Sequence, residues 1–573
     1  MQDTNTLQSS SNKPIWYFLL FWTVFNLIQS YTLEVHGDEA YYWMYSRFLD
    51  WGYFDHPPMV AVFIKIGDSL VHNELGLRLL TVITNSCSIY LIWLILKRYA
   101  VDAKWFILVV SGLFIFHIYG FTTTPDSPLL FFTVLFYYVY QRYLGRDTWL
   151  LAFLLALITS CLLYSKYHGI LLIGFTVCSN WKLLTRKSFW FIAVLAAVLF
   201  VPHILWQIQN GFPSLKYHLV DRSAEKYDPQ FTYLYPLGQL AMAGPFVGWF
   251  LFYAAFKTKI SDVFIRGLMV NCIGTFLFFM VSTLKGEVQM HWTLIAFVPM
   301  LMLVLISFKQ SVKPPKWFFA LSVINIIFIL FIRVALLFQF PFVMKVGQLE
   351  SYFGFSTWEK QVHNIVGDNY LLIRDGFQDP SKYNYYSNST HAMSYDSRFY
   401  RHTQYDSWPI EDYMQHKRAY FMQDTWEPGF TADSVVALYG RKWYTAWVDD
   451  VRTYQQVVIE VRQTRFVVPP GKEMTFDLTI KNPYNHAISF SNAGWKHVVV
   501  LETCFLQNGN MRTIRYNQDN SFNKISLNAS SQCSYQLTVK APEQRGVYEM
   551  LFSIRTAPFP GSRNSQLLGV EVR

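Results

Sequence analysis

Charge is scarce in this chain: 15% of its 573 residues are Asp, Glu, Lys or Arg, against 52% hydrophobic and 18% aromatic. A soluble domain carries about a quarter charged residues, so the deficit excludes an ordinary water-borne enzyme and makes lipid the solvent for much of the chain. Cysteine is scarce too, at six residues. Cys87, Cys161, Cys178 and Cys272 fall in or near apolar runs and read as small packing residues; none has metal-site spacing. Cys504 and Cys533 are the pair in the C-terminal tail, where an oxidising compartment would permit a disulfide. No small-residue cleavage site precedes the first apolar run, which therefore reads as an uncleaved anchor. A Ser-centred nucleophile elbow and a metal-rich hydrolase motif are also missing, which weighs against acyl or phosphoethanolamine transfer.

Long apolar runs are abundant. Between residues 15 and 340 they recur at roughly 17 to 25 residues, the length a helix needs to cross about 30 Å of hydrocarbon. We read about eleven spans, at 15–33, 77–96, 105–121, 126–144, 148–164, 167–184, 189–208, 232–256, 264–283, 290–308 and 316–339. Lys and Arg gather in alternate loops, at Lys97, Arg98 and Lys104, then Arg142 and Arg146, then Lys182, Arg186 and Lys187, then Lys257, Lys259 and Arg266, then Lys309, Lys313 and Lys316. Positive short loops stay in the cytoplasm. With Lys13 ahead of the first span, the N-terminus is expected inside and the chain after about 340 outside. These loops account for most of the excess of 48 Lys and Arg over 38 Asp and Glu, so the basic balance implies topology and no nucleic acid.

The unusual polar motifs all fall on the expected outer side. The stretch "HGDEAYYWMYSRFLDWGYFDHPPM" (36–59) follows the first span. Tyr41, Met44, Tyr45 and Phe48 recur at helical spacing, which predicts a short amphipathic helix lying at the membrane interface. Asp38 and Glu39 begin that helix, where the helix dipole favours carboxylates. Beyond it, Gly52 turns the chain and Pro57 and Pro58 forbid more helix, holding Asp55 and His56 in extended backbone. "TTTPDSPLL" (122–130) puts Asp126 at a helix start, a position that N-capping alone explains, although an acid so near lipid is a functional candidate. "YSKYHGILL" (164–172) carries Lys166, for which snorkelling is the plain alternative. The loop 209–235 holds Lys216, His218, Asp221 and Arg222 and suits a substrate lid. "STLKGEVQMHWTLIAF" (282–297) contributes Lys285, Glu287 and His291.

Acids, basic groups and histidines converging beside lipid suit a phosphate-bearing lipid substrate. If an acceptor hydroxyl attacks a sugar's anomeric carbon, a carboxylate must take its proton; Asp38 is the candidate, with Asp126 in support. The departing phosphate needs neutralising charge, for which His56, Lys166, Arg222 and Lys285 are candidates. Asp55, His218 and His291 are candidate ligands of a divalent cation of open identity, and Glu39, Tyr41 and Tyr42 complete the expected substrate site.

The motifs "GDEAYYW", "GYFDHPPM", "TPDSPLLFF", "SKYHGIL" and "KGEVQMHWTLIAFVP", in that order over residues 15–310, resemble the GT-C class of integral-membrane glycosyltransferases, in the branch related to protein O-mannosyltransferases and the bacterial lipid A aminoarabinose transferase. The resemblance implies a polyprenyl-phosphate sugar as donor, inversion at the anomeric carbon, and an acceptor-activating role for Asp38. It aligns Asp55 with a metal- or donor-phosphate-binding position and Asp126 with an acid of the second outer loop. His56 stands where the aminoarabinose branch has lysine, so sugar specificity does not carry over.

After about 345 the apolar runs stop. Residues 345–454 mix strand-like "NYLLIRDG", "RAYFMQD" and "VVALYG" with helical stretches, predicting an extracytoplasmic α/β layer; "QDPSKYNYYS" and "RHTQYDSW" there also resemble tails of the family. Residues 455–573 alternate as in "MTFDLTIKN" and "CSYQLTVKAP", predicting a β-sandwich. The expected protein is a multi-pass enzyme of the bacterial inner membrane, with a catalytic transmembrane domain (1–344) that moves sugar from polyprenyl phosphate to a lipid, glycan or protein acceptor. A lipid-linked substrate transporter or flippase would instead place its acids inside helices near the midplane, and a noncatalytic scaffold would have no use for them.

Overall fold

The computed structural model describes residues 12–218, 227–426, 431–433, 442–516 and 520–573, so Arg222, Asp221 and the segment "VVALYG" lie outside the described residues. The chain divides into two compact units, Met1–Phe353 and Gly354–Arg573.

The first unit is helical: α1 (Lys13–Thr32), α2 (Gly37–Arg47), α3 (Met59–Leu70), α4 (Glu74–Leu96), α5 (Ala103–Gly112), α6 (Phe114–Ile118), α7 (Asp126–Gly145), α8 (Trp149–Ser165), α9 (Gly169–Ser179), α10 (Lys187–Gln209), α11 (Pro213–Lys216), α12 (Pro229–Ala243), α13 (Gly248–Phe256), α14 (Val263–Ser282), α15 (Leu294–Gln310), α16 (Lys316–Leu337) and α17 (Gly347–Glu350). Every residue of α15 from Leu294 to Ser307 is buried, so this helix, apolar all round, forms the centre of the unit. Among the described residues five helices are long and apolar enough to cross a membrane, or seven if two bent pairs each count as one span: α1 with α2 at 86° and α12 with α13 at 93°. The apolar run 105–121 is broken at Leu113 into α5 and α6, and the run 167–184 keeps only the 11 helical residues of α9. Hydropathy measures apolarity along the chain and is blind to such breaks, which is why the number of long helices is below the number of apolar runs.

Local chemistry sets the helix starts. Side chains of Asn73, Thr148 and Asp262 accept from the first-turn amides of α4, α8 and α14, satisfying donors that no helical carbonyl reaches. In α2 the His36 side chain accepts from the Asp38 amide while Glu39 accepts from the His36 amide, a capping box with histidine in the hydroxyl position. The helix forms where the aromatic spacing places it, but it is not exposed along one face: Glu39 and residues 40–46 are all buried. Amphipathic spacing identifies one apolar face; here neighbouring helices cover the other as well.

The device that fixes α2 is an ion pair without solvent exposure. Arg78 of α4 donates from Nε to Glu39 Oε1 at 2.9 Å and from Nη2 to Oε2 at 2.6 Å, and both residues are fully buried. Its remaining donors reach the carbonyls of Ser30, Leu33 and Glu34 at the end of α1, at 3.0, 2.5 and 2.8 Å. Glu39 Oε1 also accepts from the Thr123 amide at 2.8 Å. One guanidinium and one carboxylate thereby join the end of α1, the start of α2, α4 and the loop before α7.

In the second unit α18 (Phe355–Val366), α19 (Gln378–Tyr386) and α20 (Ile410–Met414) accompany a mixed sheet in the order β2-β1-β3-β5-β4, formed by β1 (Tyr370–Arg374), β2 (Ala392–Tyr395), β3 (Ala419–Gln423), β4 (Thr431–Asp433) and β5 (Trp443–Val448). The rest is β-rich, with a five-stranded and a three-stranded sheet. Phe476 and Leu478 of β8 (Glu473–Lys481) and Phe552 and Ile554 of β14 (Gly546–Thr556) belong to one apolar core. Cys504 is in the five-stranded sheet and Cys533 in the three-stranded one; both are free thiols, and Cys504 Sγ accepts from Arg398 at 3.1 Å.

Removing one partner of the Arg78–Glu39 pair strands the other charge in a dry site. Arg78→Leu is expected to destabilise the protein by about 3–5 kcal/mol, measured as a fall in the unfolding midpoint in detergent or nanodiscs, and adding Glu39→Leu should recover much of the loss. An unchanged midpoint in Arg78→Leu would show that the pair does not hold the helices together.

Candidate functional site

The loop after α2 is fastened at several points. Tyr53 stacks on Tyr45 with ring centroids 3.9 Å apart and donates to the Tyr45 carbonyl at 2.9 Å. The Tyr45 hydroxyl donates to Asp55 Oδ1. Gly52 packs so tightly on α10 that a Cβ there would stand 2.5 Å from the Trp206 ring. Trp206 Nε1 donates to Asp50 Oδ2 at 2.7 Å, and His203 Nδ1 lies 2.7 Å from the Trp51 carbonyl. The chain beyond α10 closes over the same loop: Ser214 donates to the Tyr53 carbonyl at 2.9 Å, and His218 Nε2 lies 3.0 Å from the Asp55 carbonyl, which requires the proton on Nε2.

Asp126 faces this loop from the start of α7. Thr123, tied to Glu39, and Ser127, which donates to the Thr122 carbonyl at 2.7 Å, shape its turn. Lys166 occupies the extended break between α8 and α9, which turns its side chain inward. Its Nζ donates to both carboxylate oxygens of Asp126, at 2.9 and 2.8 Å, and both residues are buried. Lys166 therefore does not snorkel. His291 Nε2 stands 3.7 Å from the same Asp126 carboxylate.

Aromatic and imidazole rings fill the space between. The Tyr42 phenol is pushed well above its ordinary range, first by burial and then by the charges of Asp38, Asp55 and Asp126, so three of the expected acids act on one phenol. His56 meets Tyr42 edge-on at 5.7 Å and His218 at 6.4 Å. Burial lowers His56 to about 4, against an opposing pull from Asp55, and Lys166 adds to the lowering. His56 is thus neutral at pH 7. Glu39 is raised by burial but pulled lower by Arg78 and its hydrogen bonds, so it stays ionised within its ion pair.

The structure thus brings together Asp38, Tyr42, Asp55, His56, Asp126, Lys166, His218 and His291. Asp38 is the open member, its side chain 41% exposed and 3.8 Å from His36 Nδ1. Tyr41 is buried edge-on to Tyr45 at 4.9 Å. Glu39 is committed to Arg78 and serves as a strut. Lys285 is an exposed side chain, and among the described residues no contact joins it to the cluster. Asp126 has Lys166, not Asp38, as its partner. Among the described residues no three His, Cys, Asp or Glu side chains stand close enough to share a metal ion. Asp55, His218 and His291 face Tyr45, a backbone carbonyl and Asp126 respectively.

Two groups escaped assignment from sequence. His168, two residues beyond Lys166 in the same motif, packs edge-on against Phe279 at 5.0 Å, and its Nδ1 is buried without a hydrogen-bond partner. Its place in "SKYHGIL" was the available signal. Tyr167, His203 and Gln207 form a second network, with the Tyr167 hydroxyl 3.1 Å from His203 Nε2 and accepting from Gln207 at 3.0 Å. A histidine inside the apolar run of α10 was its signal.

Residues 55–206 match the family model described as dolichyl-phosphate-mannose-protein mannosyltransferase. No curated protein matches the chain in sequence. Among solved structures, ArnT from Cupriavidus metallidurans in the apo state superposes with a TM-score of 0.54 at 13% identity, covering 76% of this chain and 98% of that one. The same protein bound to undecaprenyl phosphate gives 0.54 at 12% identity, again over 76% and 98%. The matched segment includes Asp55, Asp126, Lys166 and His203. The chain therefore shares the fold of ArnT over three quarters of its length, and residues 55–206 are similar to the mannosyltransferase family model, in agreement with the GT-C resemblance of the motif order.

Proposed function

We propose that the protein transfers a sugar from a polyprenyl-phosphate donor to an envelope lipid, glycan or protein at the outer face of the bacterial inner membrane. The observation that carries this reading is the buried Lys166–Asp126 pair, with His291 3.7 Å from its carboxylate, whose charge acts on the same Tyr42 phenol as the half-exposed Asp38. A buried cation near a membrane-side carboxylate suits a reaction in which an anion departs while a proton is removed. ArnT bound to undecaprenyl phosphate has the same fold, which supports a lipid phosphate as the ligand. This reading keeps about eleven membrane crossings, a cytoplasmic N-terminus and a C-terminal β-sandwich.

The acceptor oxygen attacks the anomeric carbon from the face opposite the lipid phosphate, forming one carbon–oxygen bond as the bond to the phosphate oxygen breaks. Configuration inverts. Asp38 takes the acceptor proton and later returns it to water, while polyprenyl phosphate leaves with one more negative charge than it had in the donor. Lys166 is a buried cation that can meet that charge, held in place by Asp126, beside whose carboxylate His291 stands. Asp55 orients Tyr45 and the "DHPP" turn. His56 enters neutral as a hydrogen-bond group, and an arriving phosphate would favour its protonation. Arg222 and Lys285 are added phosphate contacts only if the lid brings them in.

With purified protein in lipid and a panel of radiolabelled polyprenyl-phosphate sugars plus envelope extract, Asp38→Asn is expected to lower transfer by about 10²-fold or more while retaining donor binding. Lys166→Met should weaken donor binding itself. Equal transfer by Asp38→Asn would remove it as the base. Chelation by EDTA tests the divalent cation: transfer lost and then recovered with Mg²⁺ or Mn²⁺ would place an ion in the mechanism, and transfer unchanged would leave it out.

His56 also carries a pH signature. Its folded-state value lies below the ordinary 6.5, at about 4, so its contribution to stability is present above pH 6.5 and is lost as pH falls toward 4. The unfolding midpoint of the wild type should fall more steeply across that window than that of His56→Phe. Parallel curves would show that His56 is not held neutral.

A further inference from the structure

The second unit contains a cleft of about 420 Å³ that the transfer reaction does not use. It lies where α20 and the segment 451–454 meet the loop 484–495, and Asp412, Arg452, Tyr454, Tyr484, His486 and Trp495 line it. Its volume falls within the roughly 300–1,000 Å³ of small-ligand sites.

Arg452 is 4% exposed and anchored by three hydrogen bonds, from Nε to the Tyr454 hydroxyl at 2.8 Å and from Nη2 to the carbonyls of Ser489 and Ser491 at 2.7 and 2.8 Å. Its Nη1 is buried without a partner. Oδ1 of Asp412 across the cleft is in the same condition. Natural proteins rarely leave such atoms unsatisfied, and each one asks for an explanation. The Trp495 ring lies 4.5 Å from the guanidinium, His416 is 5.3 Å from Trp495, and His486 is 5.2 Å from Tyr484. Sequence spacing did not reveal this aromatic wall, because its rings come from segments 416, 454, 484 and 495, which only the fold brings together.

A ligand satisfying both open atoms must accept from a guanidinium and donate to a carboxylate. A hydroxyl pair does both, and aromatic rings offer faces for C–H contacts. The carboxylate disfavours an anion and the guanidinium disfavours a cation. We infer that this cleft is a binding site for a neutral saccharide, with Asp412 and Arg452 holding adjacent hydroxyls and Trp495 packing against the ring. The inference stands independently of the transfer reaction.

The test uses the full chain in nanodiscs, with saturation-transfer difference NMR and calorimetry against methyl α-mannoside, methyl α-glucoside, methyl β-galactoside and their disaccharides. Glucuronate and glucosamine serve as charged comparisons. At least one neutral saccharide should bind saturably, and Trp495→Ala and Asp412→Asn should each weaken it at least tenfold with the unfolding midpoint kept. If Trp495→Ala fails to fold, Trp495→Phe should fold and retain part of the affinity. Asp38→Asn should bind the saccharide like wild type, which separates this site from the transfer site. No binding by any neutral saccharide, binding that survives both cleft variants, preference for a charged sugar, or binding lost in Asp38→Asn would each overturn the inference.

Discussion

Everything in the membrane unit's candidate site hangs from the contact between Arg78 and Glu39. A guanidinium with no exposed surface would be intolerable without a counter-charge, and Glu39 supplies it while reaching the Thr123 amide with one oxygen and the His36 amide with the other. The arginine in turn gathers three carbonyls at the end of α1, where helical partners have run out. The pair therefore sets the bend between α1 and α2 and the position of the loop that presents Asp126. Its worth is in specifying one arrangement of four chain segments, since burying two charges yields little net stability by itself.

Downstream of that strut, burial governs the chemistry. Asp126 and Lys166 are both nearly inaccessible, so their mutual charge is screened weakly and each depends on the other. His56 loses its proton in the same dry space, whereas Asp38 keeps contact with solvent. Two adjacent carboxylates thus differ in setting: Glu39 is sealed against Arg78, and Asp38 reaches solvent. Residue type alone cannot make that distinction; accessibility does.

Both units pair their buried charges and leave some buried polar atoms without a partner. In the membrane unit Arg78 and Lys166 are matched by carboxylates, while His56 Nδ1 and His168 Nδ1 are buried unpartnered. In the second unit Arg398 and Glu502 pair in the same way, yet the Arg452 and Asp412 atoms at the cleft are left open. Open polar atoms on the wall of a cavity identify a ligand's hydrogen-bonding pattern, as a filled network cannot.

Composition and apolar run length were sufficient to establish a polytopic helical protein, because a chain this poor in charge can satisfy its backbone in lipid only as helices or a closed barrel. Motif order was sufficient for the GT-C resemblance and for Asp126, Lys166 and His291 as candidates. The break at Leu113 was not legible, since apolarity continues across it, whereas the break at Lys166 was read between the runs 148–164 and 167–184. Nor was the partner of any charged residue: Glu39 and Arg78 are 39 positions apart, Asp126 and Lys166 are 40, and Lys285 lies in a motif yet stays exposed. Sequence by itself determined which chemical groups stand near the ends of the helices. Tertiary structure alone decided which of them are sealed, which are paired and which remain open, because pairing and burial depend on distances through space that spacing along the chain does not contain.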